Sequence, residues 1–297
     1  MHSATKTNGN ESTTMSISRY HGATGRMDLS TKAAVITGGA RGIGAAVCHA
    51  LVRERIKAIG LVDVSDDVMR FATEFNSEVG REAVVPFRGD VTDASFRRGV
   101  FSALEGRFGS VSICVPAAGI TRDKLAVRVD REAGTVEVYP EADWERVLAV
   151  DLTAPIYWAL ETVASVARER LKRGLKRWEP AEPLEGAIIF IGSVSSAGNR
   201  GQVSYATAKA GLEGAQATLA AEAIFHGVRS AIIHPGYTDT AMVRALGEEF
   251  IQQRIIPQTQ LRRLIRPEEI ADAICFMICN AAVSGKVWVD AGWHPVA

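Results

Sequence analysis

The sequence predicts an α/β fold: a doubly wound parallel sheet with helices on both faces. Three observations carry that prediction. Short apolar runs alternate with longer amphipathic stretches along most of the chain, the pattern of buried strands joined by crossover helices. A glycine-rich turn, Thr37-Gly38-Gly39-Ala40-Arg41-Gly42-Ile43-Gly44, joins the first apolar run to the first helical stretch. The second apolar run then ends in an acid, Asp63.

Each element follows in order. Ala33-Ala34-Val35-Ile36 reads as a strand buried on both faces. In the turn after it, Gly38 suits a tight bend, Gly42 lets backbone approach a phosphate, and Gly44 lets helix pack close to strand. A helix over about 43–55 would aim its N-terminal N–H groups at a pyrophosphate. Ile59-Gly60-Leu61-Val62 is the second strand. Asp63 ends it, roughly 20 residues beyond the last glycine, where a carboxylate can accept hydrogen bonds from an adenosine ribose. A helix over 66–79 keeps Val68, Phe71, Ala72 and Phe75 on one face. The third strand, 83–87, turns through Gly89-Asp90-Val91-Thr92 into a helix over 94–108, which Asp90 or Thr92 could cap. The fourth strand, 111–115, runs into Pro116-Ala117-Ala118-Gly119. Residues 127–139 alternate around Arg131-Glu132-Ala133-Gly134, a β-hairpin signal in the position of an insertion. A long helix over 143–173 follows, then an extended surface connection to a buried strand at 186–191. Residues 242–260 suit a mobile helical lid whose Met242, Val243, Leu246 and Phe250 either line a pocket or pack on the core.

The totals bound the function. The chain has 297 residues, 47% of them hydrophobic, enough for one large α/β domain. Lys+Arg and Asp+Glu are both 34, so no basic nucleic-acid face and no acidic tail is expected. Cys48, Cys114, Cys275 and Cys279 sit in apolar segments without zinc-site spacing and read as small buried hydrophobes, with no metal expected. No run of membrane-crossing length is evident. Residues 1–29 read as a disordered polar tail without a secretory core, and 30–297 as a single domain carrying the 127–139 hairpin. A cytoplasmic setting follows from the reduced thiols.

The chemistry gathers later in the chain. Ser193 lies just past the C-terminal end of a buried strand, where ligands bind in open α/β sheets. Tyr205 and Lys209 are four apart, so they share one face of a helix. Hydride transfer at a carbinol carbon must be matched by proton transfer at its oxygen. A phenol can do this, but its ordinary pKa near 10 is too high for neutral operation unless a nearby ammonium lowers it. Ser193 would hold and polarise the carbonyl oxygen, with Ser195 and Ser196 as alternatives.

The glycine turn together with Ser193, Tyr205 and Lys209 resembles the short-chain dehydrogenase/reductase family over about residues 30–295. The resemblance implies a Rossmann-type fold and a reaction interconverting secondary alcohol and ketone. It makes Tyr205 the acid/base, Lys209 its activator and a ligand of the nicotinamide ribose. It sets Asp90 and Val91 at the adenine, Ala118 and Gly119 under the cofactor, and Pro235, Gly236, Thr238 and Thr240 over the nicotinamide. His234, beside them, reads as structural. The chain departs from the family at Pro116-Ala117, where two asparagines are usual and one braces the sheet. It departs again at Asp151, where an asparagine is usual; Asp151 is expected to hold a relay water beside Lys209. Ala291 stands where the family has glycine. Asp63 favours NAD(H), since it would repel a 2′-phosphate, and Arg41 leaves NADP(H) as the alternative. Thr121-Arg122-Asp123-Lys124-Leu125 resembles the loop of 3-oxoacyl thioester reductases. A small-molecule carbonyl or alcohol is thus the expected partner, with a polyol, sugar or cyclic alcohol as the second substrate class and a non-catalytic dinucleotide-binding regulator as the other alternative. A homo-oligomer, dimer or tetramer, is implied by the resemblance.

Overall fold

The structure, a computed structural model, describes residues 26–293. Its first half is β1 (Ala33–Thr37), α1 (Gly42–Arg53), β2 (Ala58–Asp63), α2 (Asp67–Val79), β3 (Val84–Arg88), α3 (Ala94–Phe108) and β4 (Val111–Pro116). A hairpin follows, β5 (Val127–Asp130) and β6 (Thr135–Val138), then α4 (Glu141–Leu148) and α5 (Ala154–Lys172). The rest is β7 (Gly186–Ile191), α6 (Val203–Glu222), β8 (Val228–Pro235), α7 (Ala241–Arg244), α8 (Glu248–Phe250), α9 (Pro267–Cys279) and β9 (Gly285–Val289).

Seven strands form one parallel sheet in the order β3-β2-β1-β4-β7-β8-β9. Successive side chains in these strands alternate faces, and both faces are covered, so the strands are apolar throughout. Ala34 and Ile36 of β1 join Val47, Leu51, Phe75 and Ile274 from α1, α2 and α9. Val35 between them joins Leu104, Trp158 and Leu212 from α3, α5 and α6. Each fully buried Leu or Ile in these layers contributes roughly 1.5–3 kcal/mol. The chain leaves β1 toward β2 and β3 on one side and reaches β4, β7, β8 and β9 on the other. The crevice between β1 and β4, at the C-terminal strand ends, is therefore the switch point where ligands bind.

Several expectations are corrected. Residues 1–25 of the expected tail lie outside the described residues. Within 26–29, Met27 and Leu29 are buried and Met27 N donates to Cys279 O at 2.8 Å, while Arg26 and Asp28 are exposed. Two apolar side chains seated in the core outweigh the polar residues around them. Residues 141–172 form one continuous helix long and apolar enough to match a membrane span by length and composition, contrary to the reading of the sequence. Trp158, Ala159 and Val166 instead spend that apolarity against the sheet. The cap of α3 is neither Asp90 nor Thr92 but Asp93, whose carboxylate accepts from Ser95 N and Phe96 N. The lid is not one helix: α7 and α8 are short, with a π turn at Ile251–Ile255 behind them.

Candidate active site

The glycine turn is shaped by contacts a side chain would destroy. Gly38 has φ +65°, and a Cβ there would lie 2.7 Å from the Ala118 main chain. A Cβ on Gly44 would lie 2.2 Å from Gly38 O, so α1 rests directly on the turn. The first turn of α1 has no side-chain cap and no acid, so no side chain of its own competes for its N–H groups, as an anion cradle requires. Arg41 stands exposed at its lip and makes no ion pair among the described residues. The sheet is braced without the usual asparagine: Ala117 N donates to Thr37 O and Ala118 N to Thr37 Oγ1, both at 3.2 Å. Nothing in the sequence singles out Thr37 for this.

Asp63 is nearly buried. Its Oδ2 accepts from Ala40 N and its Oδ1 from Ser65 N, each at 3.0 Å. The carboxylate thus ties the tip of the glycine turn to the end of β2, with lone pairs left over for further donors. Asp90 Oδ1 accepts from Thr92 N and Oγ1, and Arg146 donates to Oδ2 at 3.1 Å. Burial works to raise the Asp90 pKa, but the bonds from Thr92 and Arg146 hold it below the ordinary value. Val91 is buried beside it, its carbonyl bonded by Trp158 Nε1 at 3.0 Å.

Across the crevice, α6 carries Tyr205 and Lys209. Lys209 is buried; its Nζ donates to Ile191 O at 3.2 Å and lies 5.4 Å from the Tyr205 ring centre. Asp151 Oδ2 sits 3.3 Å from Nζ as an ion pair, off the direction of a hydrogen bond. Its Oδ1 accepts from Ile120 N at 2.9 Å. Asp151 lies in a π turn, Ala149–Thr153, between α4 and α5. Such turns recur at functional sites. Gly119 makes room for the pair, since a Cβ there would fall 2.9 Å from Asp151 Oδ2.

The charges of this cluster are coupled. Burial works to lower the Lys209 pKa, but Asp151 and Tyr205 outweigh it and hold it above the usual lysine value. Burial pushes the Asp151 carboxyl up, against the pull of Lys209. Burial also pushes the Tyr205 phenol up; Lys209 and a hydrogen bond from Ser193 pull the other way without prevailing. Lys209 thus acts on the phenol in the expected direction, and burial outweighs it. Tyr205 keeps partial access to solvent, but the surrounding protein strips most water from its hydroxyl.

Ser193 follows β7, and its Oγ accepts from Ser195 N at 3.0 Å. Ser193 and Tyr205 open on one cavity of about 130 Å³ that reaches Ile43 of the glycine turn. Ser195 lines it too, but its hydroxyl is committed to Gln202 Oε1 at 2.9 Å. Ser196 is turned away, donating to Ser193 O. Pro235, Gly236, Thr238 and Thr240 close one side of the cavity. Thr240 Cγ2 faces Gly42, where a Cβ would meet it at 3.3 Å. Met242, Val243 and Leu246 line the roof, whereas Phe250 is exposed outside it. The opposite wall is polar in a way the sequence reading missed. Gln202 donates to Asp123 Oδ2 at 2.9 Å, and Asn199 donates to Gln202 Oε1 at 3.0 Å. A larger groove, about 750 Å³, lies between α1 and α9 and contains none of these residues.

Residues 38–294 match the family described as enoyl-(acyl carrier protein) reductase. The 3-oxoacyl-[acyl-carrier-protein] reductase of Escherichia coli (strain K12) is 31% identical over 284 residues, covering 91% of this chain and all of the relative. The chain belongs to the short-chain dehydrogenase/reductase family. It is an oxidoreductase of that family, whose members bind nicotinamide cofactors. The acetoacetyl-CoA reductase of Rhizobium meliloti (strain 1021) is 32% identical over 253 residues, covering 85% of this chain and 92% of the relative. A crystal structure of a protein titled a putative gluconate dehydrogenase, from Agrobacterium tumefaciens, superposes with a TM-score of 0.74 at 26% identity, covering 89% of this chain and 96% of that one.

Proposed function

We propose that the protein reduces 3-oxoacyl thioesters with NADH, using Tyr205 as the proton donor to the substrate oxygen. The observation that carries this reading is the shared cavity, in which Ser193 and Tyr205 open on the same space as the glycine turn. The cradle fits a dinucleotide, because its first-turn N–H groups are uncapped and Gly42, at φ +58°, has no side chain to fill the approach. Gly38, Arg41, Gly42, Ile43 and Gly44 would hold the pyrophosphate, Asp63 the ribose, and Asp90 with Val91 the adenine. Ala118 and Gly119 would lie under the nicotinamide end, with Pro235, Gly236, Thr238 and Thr240 over it. When bound, the nicotinamide supplies the hydride.

The protein's own groups handle the proton. Ser193 Oγ accepts from Ser195 N, and its O–H, which bonds the Tyr205 oxygen, would turn to donate to the substrate oxygen when one enters between them. The raised pKa of Tyr205 keeps the phenol protonated at neutral pH, as a donor in the reducing direction requires. The Lys209 ammonium then faces the phenolate left behind, and Asp151 keeps that ammonium charged. Asp63 supports NAD(H) over NADP(H), because a 2′-phosphate would meet a carboxylate fixed by two main-chain donors.

The names of the two curated reductases, and the place of Thr121 and Asp123 on the cavity wall, support a 3-oxoacyl thioester. A second reading, oxidation of a polyol or sugar acid, is favoured by the Asp123–Gln202–Asn199 wall, whose donors and acceptors suit hydroxyl groups. Exposed Tyr157 and Leu160 on α5, with Phe276 and Trp288, support a homo-oligomer, which light scattering would measure. The deciding test gives the protein an acetoacetyl thioester with NADH or NADPH, and gluconate with NAD, each beside Tyr205→Phe. The reading expects NADH oxidation that the variant loses by about 100-fold or more. Gluconate oxidation alone would transfer the assignment to the second reading. Thioester turnover only with NADPH would overturn the cofactor choice.

A further inference from the structure

His234 ends β8 behind the active-site serine and is fully buried. Its Nδ1 lies 3.0 Å from Ser193 O, 3.3 Å from Ser193 N and 3.1 Å from Ser196 Oγ. One ring nitrogen thus straddles both main-chain polar groups of a single residue. As an acceptor it takes the Ser193 N–H; as a donor it bonds the Ser193 carbonyl. The two tautomers hold the main chain of the same residue, through the peptide before Ser193 in one case and the peptide after it in the other. The approach is cut to fit: a Cβ on Gly192 would lie 2.6 Å from this nitrogen. The ring is held from two further sides. Trp288 of β9 stacks on it at 4.3 Å and 20°, and Nε2 faces Glu213 Oε1 of α6 at 3.6 Å. Glu213 is in turn paired with Lys286.

We infer that His234 is a positioning residue for Ser193: it clamps the Ser193 peptide from behind, and so sets where the serine hydroxyl meets the substrate oxygen. The neighbouring bonds transmit the clamp. Ser196 Oγ donates to Ser193 O at 2.6 Å, and Ser193 Oγ accepts from Ser195 N, so the same short loop ties down both the Ser193 main chain and its hydroxyl. The reacting groups would touch Ser193 and Tyr205, never the imidazole. Misplacing a reacting group by about 1 Å costs up to about 100-fold in rate. Burial holds the His234 pKa below the ordinary value, despite Ser193 O and Glu213, with Lys286 and Lys209 acting in the same direction as burial. The clamp therefore works with a neutral ring at neutral pH.

The inference rests on Ser193 serving the reaction proposed above, and the test separates the two. His234→Phe keeps a ring for Trp288 but has no atom to bond Ser193. His234→Asn returns an amide that can donate or accept near the Nδ1 position. The expected result is a kcat lowered about 10- to 100-fold in His234→Phe. Cofactor affinity and thermal midpoint should stay close to the parent, and His234→Asn should regain most of the rate. Amide hydrogen exchange over residues 190–198 gives a readout that needs no turnover: faster exchange in His234→Phe and restored protection in His234→Asn are expected. Unchanged kcat and unchanged exchange in His234→Phe would overturn the inference. Altered exchange in an enzyme whose turnover ignores Ser193→Ala would instead leave the clamp standing and remove the proposed reaction. If His234→Phe does not fold, Gly192→Ala pushes the same nitrogen away from the peptide and must reproduce the exchange and rate changes.

Discussion

The protein buries a cation at each end of β7, and the two sites are built to opposite ends. At the C-terminal end, Lys209 meets Asp151 and Ile191 O; at the N-terminal end, Arg170 meets Glu182 and Glu185. The same long helix contributes to both, with Asp151 in the π turn at its start and Arg170 near its finish. Arg170 donates to Glu182 at 2.7 Å, Glu185 at 3.1 Å and Lys176 O at 3.2 Å, with only its Nε left without a partner. Its acids reach solvent: side-chain exposure is 26% for Glu182 and 14% for Glu185, against 0% for Asp151. Hydrogen bonds from Arg170 hold Glu182 below the usual glutamate value, whereas burial pushes Asp151 up. The Arg170 guanidinium is hydrogen-bonded through both terminal nitrogens to partners that reach solvent. The other cluster holds Asp151 Oδ2 by the ion pair with Lys209 alone, inside a buried site. Burial combined with a specific charge partner shifts a pKa, and such shifted groups concentrate at functional sites.

Breaking each cluster should separate rate from stability. The largest effect is expected from Lys209→Met, which removes the cation facing Tyr205. Turnover should fall about 1000-fold, measured with saturating substrate and cofactor, while the thermal midpoint changes little, because Asp151 can take up a proton. Arg170→Met should do the reverse. Glu182 loses its partner while Glu185 keeps Arg173, and both keep some water, so about 2–3 kcal/mol of stability goes and the midpoint drops about 5–10 °C, with kcat at 25 °C unchanged. A rate loss in the arginine variant as large as that in the lysine variant would erase the distinction.

Asp151→Asn sharpens it further. Asp151 is one of the charges that raise the Lys209 pKa above its ordinary value, so the folded protein retains the ammonium to higher pH than an isolated lysine would. Without the carboxylate, burial dominates and the ammonium is lost at lower pH. Turnover near neutrality should fall about 10-fold, and the alkaline limb of the kcat profile should move down in pH. An unmoved limb would remove Asp151 from the mechanism. The smallest change is a control outside both clusters. Ala291 holds φ +56°, in the left-handed region, so Ala291→Gly should add about 0.5–1 kcal/mol of stability without touching rate.

The sheet was legible because strands buried on both faces must be apolar throughout. Val35 and Ile36 point to opposite layers, and each needs a hydrophobic neighbour. The glycine turn, Ser193, Tyr205 and Lys209 were legible because spacing along one strand end or one helix fixes their direction. What escaped depends on partners remote in the chain. Thr37 as a brace needs Ala118, 81 residues away. The His234 contact needs a serine 41 residues earlier. Asp93 rather than Asp90 caps α3 because the chain makes an extra turn at Thr92 that short-range pattern does not reveal. The net rise in the Tyr205 pKa also escaped, since a nearby ammonium is visible in sequence but the burial opposing it is not.

Asp63 has a consequence for anyone wishing to redesign the enzyme's coenzyme preference. Its carboxylate pins Ala40 N at the tip of the glycine turn, and in the cofactor arrangement proposed above the same side chain would face the ribose. An exchange that welcomes a 2′-phosphate therefore also unpins the loop that must grip either dinucleotide. On that proposal, selectivity and grip are mechanically linked at this residue. A successful switch needs a second substitution that returns an acceptor to Ala40 N, or the redesigned enzyme will discriminate well and bind poorly.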